Sequence, residues 1–124
     1  MTKRIRIAWP GASLTAALRN TPTSAKLIAA LPCTARAHTW GEEVYFTVPV
    51  EAALEPDAQQ VVEPGTVCFW VEGASLALPY GATPIAQKGE SRLASKCNLL
   101  GKIDGDSRAL AGIRDGDTVT VSTE

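Results

Sequence analysis

Glu42 and Glu43 stand side by side in Trp40-Gly41-Glu42-Glu43-Val44-Tyr45-Phe46, with Arg36 and His38 just upstream. Carboxylates, an imidazole and a guanidinium beside aromatic rings are the groups from which acid–base catalysis or ligand capture is built. Successive side chains on a strand diverge to opposite faces, so this carboxylate pair cannot flank a bond as facing acid and base. His38 is the one imidazole of the chain, and no serine or cysteine neighbours it in a recognisable nucleophile arrangement. Only a pairing across space, of Cys68 or Cys97 with His38, stays open.

The aromatics are unevenly spread. Six of the seven fall between residues 40 and 80, and Trp9 alone lies outside. Val67-Cys68-Phe69-Trp70-Val71 forms a second aromatic segment, followed by Tyr80. The two segments read as walls of one groove. Rings would supply apolar contact there, and a charged group would fix orientation.

Other chemistries lack their residues. There is no phosphate-binding glycine loop, dinucleotide turn, His-Glu-x-x-His helix or Gly-x-Ser-x-Gly elbow. Cys33, Cys68 and Cys97 are odd in number and widely spaced, and one histidine completes no zinc set. They are expected to be buried, reduced thiols, with no metal and no cofactor.

The elements that must position these groups follow from hydrophobic period. Residues 3–9 alternate, with Ile5, Ile7 and Trp9 on one face and Arg4 and Arg6 on the other. Pro10-Gly11 turns into a second strand through Leu18. Thr21-Pro22 opens a helix whose stripe is Ser24, Leu27, Ile28 and Leu31, and Pro32 stops it. Residues 33–40 return to strand with Arg36, His38 and Trp40 on one face, either at the lip of a groove or towards solvent. Gly41 reads as a bulge. Beyond it Val44, Phe46, Val48 and Val50 face the core, while Glu43 and Tyr45 share the groove side. Glu42 is either lifted out by the bulge or half-buried with a raised pKa.

Residues 51–65 read as an acidic loop ending in a Pro64-Gly65 turn. In the next strand Val67, Phe69 and Val71 face the core, and Trp70 lies in the groove or under that loop. Ser75–Tyr80 is a further strand, with Pro79 at its end or on an edge. Residues 85–96 read as a long polar loop, 98–103 as a strand, and Asp106 or Ser107 as the cap of a short helix. Asp115-Gly116 leads into the last strand. About eight strands without regular β–α alternation point to a mainly β, mostly antiparallel barrel.

At 124 residues the chain is expected to be a single domain, 1–124, able to bury its own core. A formal charge of −1 argues against non-specific nucleic-acid binding, and no apolar run is long enough to span a bilayer. Without an apolar leader, the chain is expected to be complete as written and cytoplasmic. Residues 1–41 hold six bases and no acid, whereas 42–87 hold seven acids and no base. Cross-strand ion pairing is the preferred explanation, with partner surfaces as the alternative.

Three stretches carry a family resemblance. They are Trp40-Gly41-Glu42-Glu43-Val44-Tyr45-Phe46, Glu63-Pro64-Gly65-Thr66-Val67-Cys68-Phe69-Trp70 continuing to Tyr80-Gly81-Ala82-Thr83-Pro84, and Asn98-Leu99-Leu100-Gly101-Lys102-Ile103. Over nearly the whole chain the sequence resembles the small, uncharacterised bacterial and archaeal cyclophilin-like proteins. The resemblance implies a closed eight-stranded antiparallel barrel capped by two short helices, with a cleft on its outer wall. The chain departs from the family at Thr66, Val71-Glu72 and Pro79, which bear on the floor of that cleft.

Prolyl isomerases of the wider superfamily carry a Phe-His-Arg segment, which Ala35-Arg36-Ala37-His38 matches only in Arg36 and only with a one-residue shift. The expected function is therefore binding of a small molecule or peptide by Arg36, Trp40, Glu43, Tyr45, Trp70, Tyr80 and Asn98. A prolyl isomerase of low or altered activity is the first alternative, and a protein-interaction module the second.

Overall fold

Alternating burial along the first segment fixes the start of the sheet. In the computed structural model, which describes residues 3–124, β1 (Lys3–Trp9) buries Ile5, Ile7 and Trp9 and exposes Lys3, Arg4 and Arg6. Met1 and Thr2, which the sequence places just before this strand, lie outside the described residues. β2 (Ala12–Leu18) folds back on β1 with Ile5 opposite Ala16 and Ile7 opposite Leu14. Helix α1 (Pro22–Ala29) begins where the sequence places it. Thr21 Oγ1 accepts the Ser24 N–H at 3.0 Å, and Pro22 occupies the first turn.

The remaining strands are β3 (Cys33–Arg36), β4 (His38–Thr39), β5 (Glu43–Thr47), β6 (Gln59–Val62), β7 (Thr66–Trp70), β8 (Ser75–Pro79), β9 (Ser91–Ile103) and β10 (Thr118–Thr123). A 3-10 helix, Ser107–Gly112, is capped by Asp106, whose side chain accepts the Arg108 N–H. Neighbouring strands run β3-β10-β1-β2-β9-β7-β8-β5-β4, every pair antiparallel, with β6 added against β9. The two ends of that order, β3 and β4, are joined through Ala37. Its N–H donates to Asp117 and its carbonyl accepts from Gly116, so the sheet curls into a nearly closed barrel.

Among the described residues ten strands stand where about eight were expected, for two local reasons, and one strand is longer than expected. Ala37 interrupts residues 33–40 and divides them into β3 and β4. Gln59–Val62, read as loop, pairs with β9. Ser91–Lys96, also read as loop, extends β9, because Ser91, Leu93 and Cys97 are buried while the residues between them are more exposed. Gly41 is a turn residue and not a bulge. It sits at φ +60° between β4 and β5, where the Trp40 N–H donates to the Glu43 carbonyl at 3.0 Å. A glycine at the first central position suits a two-residue hairpin turn.

The parities of β5 and β7 separate two apolar clusters. Val44, Phe46, Val67, Phe69, Leu76 and Leu78 point into the barrel with Ile5, Ile7, Leu100 and Val121. Cys68, Ala77, Leu93, Cys97 and Val62 form a smaller cluster on the opposite side of the sheet, against which Tyr45, Trp70 and Leu99 pack. Covering a sheet face that would otherwise meet water is what β6 and the first half of β9 accomplish.

Ion pairs tie some of the block charges to distant segments, and one of them, Arg19 with Asp57, joins the two blocks. Arg4 meets Asp104, Arg6 meets Glu124, Arg19 meets Asp57, Lys102 meets Glu63 and Arg108 meets Glu42. These are exposed, so solvent screens them and they contribute little to stability.

Candidate functional site

Strand register brings the outer-face side chains together. Tyr45 on β5 lies opposite Ala77 on β8, and Ala77 lies opposite Cys68 on β7. The small Ala77 side chain leaves a depression between the flanking strands. Trp70, two residues beyond Cys68 on the same face, reaches towards Tyr45 across it. Their ring centroids are 6.2 Å apart with planes at 90°, an edge-to-face pair. Trp40, at the β4–β5 turn, and Leu93, Ala94 and Cys97, from β9, complete the walls of a cavity of about 210 Å³. Glu43 enters it from β5.

The indole of Trp70 is held from behind. Its Nε1–H donates to Ser95 Oγ at 3.1 Å, and the Ser95 hydroxyl donates to Glu72 at 2.7 Å. The bond from Ser95 holds the Glu72 carboxyl below its ordinary value. On the outer side His38 lies against Tyr45 with ring centroids 5.2 Å apart, and its Nδ1 is 4.0 Å from Asp115.

Glu43 is the unusual group. It is 5% exposed, and its Oε1 is, among the described residues, the one buried side-chain polar atom without a hydrogen-bond partner. Burial pushes its carboxyl up to about 7. The thiols beside it are inert for the same reason. Burial raises Cys97 to about 12 and Cys68 well above its ordinary range, and the nearby Glu43 charge adds to both shifts.

Glu42 has the opposite fate. The hairpin turn lifts it to the surface, where it accepts from Arg108 at 2.6 Å and from the Ala82 N–H at 3.0 Å. Arg108 first, and then Ala82, hold its carboxyl low. Glu43, not Glu42, is therefore the carboxyl that faces the cleft.

Four of the seven residues singled out in the sequence line this cavity: Trp40, Glu43, Tyr45 and Trp70. The other three sit elsewhere. Arg36 lies exposed on β3 with its guanidinium 3.3 Å from the Gly116 carbonyl. Tyr80 packs with the main core, and Arg108 lies over its ring at 5.6 Å. Asn98 is fully buried and ties down the 53–55 segment, accepting the Glu55 N–H and donating to the Ala53 carbonyl and to Thr23 Oγ1. Leu93 is hidden in the sequence because residues 85–96 look polar as a block, and Cys97, expected as a buried thiol, is not expected at the cleft. Their shared parity with Ser91 was the available clue.

A family model described as cyclophilin-like matches residues 3–122. The chain belongs to the cyclophilin-like family. This cyclophilin-like barrel is similar to the solution structure of the hypothetical protein AF2241 from Archaeoglobus fulgidus, at 34% identity and a TM-score of 0.84. The match covers 99% of this chain and 95% of that one. No curated protein matches the cyclophilin-like chain. Among the described residues no helix is long and apolar enough to cross a membrane, and no cluster of three or more His, Cys, Asp or Glu could hold a metal.

Proposed function

We propose that this cyclophilin-like domain is a cytoplasmic binding module that takes a small molecule, or one side chain of a peptide, into the cleft between β5, β7 and β9. The observation that carries the reading is the placement of Tyr45 and Trp70. Both rings are only partly buried, and they flank an open cavity lined mainly by apolar side chains. A volume of about 210 Å³ limits the occupant. A dry cavity of about 150 Å³ holds a benzene-sized ring, so the cleft suits a single ring or a branched aliphatic group. Partly exposed aromatic surface with a polar group at its base is the usual composition of a ligand pocket.

Prolyl isomerisation finds little support beside this. Its expected arginine donor, Arg36, does not line the cleft, and no other arginine does. A ligand-detected NMR screen of ring-sized fragments against wild type and Tyr45→Ala tests the binding reading. Hits that are competitive with one another and lost in the variant support it. Hits indifferent to Tyr45→Ala, or none at all, count against it.

A further inference from the structure

Six other acidic side chains of this protein have cationic partners: Glu42, Asp57, Glu63, Glu90, Asp104 and Glu124. Glu43, among the most buried of the acids, joins no ion pair among the described residues and leaves Oε1 without a partner. A buried carboxyl in that condition is costly, and its persistence calls for a physical reason. No lysine or arginine lines the cleft, and outside it a second carboxylate, Glu72, is linked to Trp70 through the Ser95 hydroxyl. The cleft thus presents aromatic rings, one buried carboxyl and no lysine or arginine. Such a site repels anions and attracts cations.

We propose that the cleft recognises a methylated ammonium group, with Trp40, Tyr45 and Trp70 around the cation and the Glu43 carboxylate at its base. This rests on the cleft being a ligand site, as argued above, and adds what the ligand is. Aromatic rings stabilise a desolvated cation through their quadrupoles, and cages of this composition suit quaternary nitrogen. A primary ammonium carries three N–H donors that each need an acceptor, whereas a trimethylammonium carries none. The walls offer Ala77, Leu93 and ring carbon, so the methylated form fits them better.

Protonation sets the affinity. The titratable or charged groups around Glu43 are Tyr45 on its own strand, His38 across the hairpin, Cys68 on β7, Cys97 on β9, and Glu72 beyond Trp70. Both thiols stay protonated through neutral pH because burial raises them. With the Glu43 carboxyl at about 7, the empty cleft is half-ionised at neutral pH. A bound cation then selects the ionised form and displaces its proton.

The test pairs choline with its uncharged isostere 3,3-dimethylbutan-1-ol, each titrated into the full chain with tryptophan fluorescence as readout. Choline is expected to bind at least about tenfold more tightly than the alcohol at pH 8. Its affinity should rise about tenfold between pH 6 and pH 8, following ionisation of Glu43. Glu43→Gln, with its fold checked by circular dichroism, should lose both the preference and the pH dependence. Equal or tighter binding of the alcohol, or choline affinity that rises as pH falls, overturns the cation assignment and leaves the cleft a site for neutral ligands. Binding of neither probe also overturns it. The fragment screen decides separately whether the cleft binds anything.

Discussion

The edge of one ring meets the face of another where Tyr45 and Trp70 converge from β5 and β7, 6.2 Å between centroids and perpendicular in plane. Two strands separated by a third can place large rings in contact only if the middle strand contributes a small side chain, and Ala77 is that residue. The pair is worth about 0.5–1.5 kcal/mol beyond its buried area. Trp70→Phe keeps an aromatic wall and loses the bond to Ser95, so it should cost about 1 kcal/mol in urea denaturation and retain fragment binding. Trp70→Ala should lose the binding as well. Intact binding in Trp70→Ala would remove the ring from the site.

Glu43 makes stability depend on pH in a direction unusual for a carboxylate. Its pKa is about 7 in the fold against an ordinary 4.5, so the folded state holds the proton more tightly over that interval. The contribution is fully present below about pH 4.5 and is lost as pH rises through about 7. The gap corresponds to up to about 3 kcal/mol. Glu43→Gln should raise the urea midpoint at pH 8, change it little at pH 5, and flatten the profile between. A variant less stable than wild type at pH 8 would mean that the ionised carboxylate has a stabilising partner.

Gly41 sets the geometry of the hairpin from which Trp40 and Glu43 project. At φ +60° an added side chain costs about 1–2 kcal/mol. A Cβ would also lie 2.8 Å from Pro84 Cδ and 2.9 Å from the Ala82 carbonyl oxygen. Gly41→Ala should therefore lower stability by about 2–3 kcal/mol and weaken cleft binding in the same protein. Calorimetric unfolding together with a fragment titration reads both effects.

Asn98 and Arg36 separate structural roles from binding roles. Asn98→Ala removes two hydrogen bonds that anchor residues 53–55 and a third to Thr23, and should cost about 3 kcal/mol in chemical denaturation. Arg36→Ala removes a single exposed contact and should shift stability by less than about 0.5 kcal/mol. Cleft affinity should be unchanged in both, measured at a temperature where each variant is fully folded. A tenfold loss in either would return that residue to the site.

The barrel was legible because period-two burial is written plainly into Ile5, Ile7, Val44, Phe46, Val67 and Phe69. The outer-face placement of Glu43, Tyr45 and Trp70 follows from the same parity. What could not be read was anything that depends on which strands lie side by side. Asn98 and Tyr80 carry polar atoms suited to a cleft, yet register turns Asn98 towards the 53–55 segment and Tyr80 into the core. Ser91–Lys96 looks like a loop because only every second residue on that strand is covered, and the exposed ones are charged or small. The choice between Glu42 and Glu43 was set by a two-residue turn at Gly41, where a bulge was the simpler expectation.

The protonation state of Glu43 tests the account most directly, because a buried, unpartnered carboxyl underlies both the cleft and its ligand. A carbon-13 NMR titration of the side-chain carboxyl in the ligand-free protein measures it residue by residue. The expected result is a midpoint near pH 7, falling when choline is added. A midpoint near 4.5, unmoved by choline, would show a solvated or already paired group and would contradict the account.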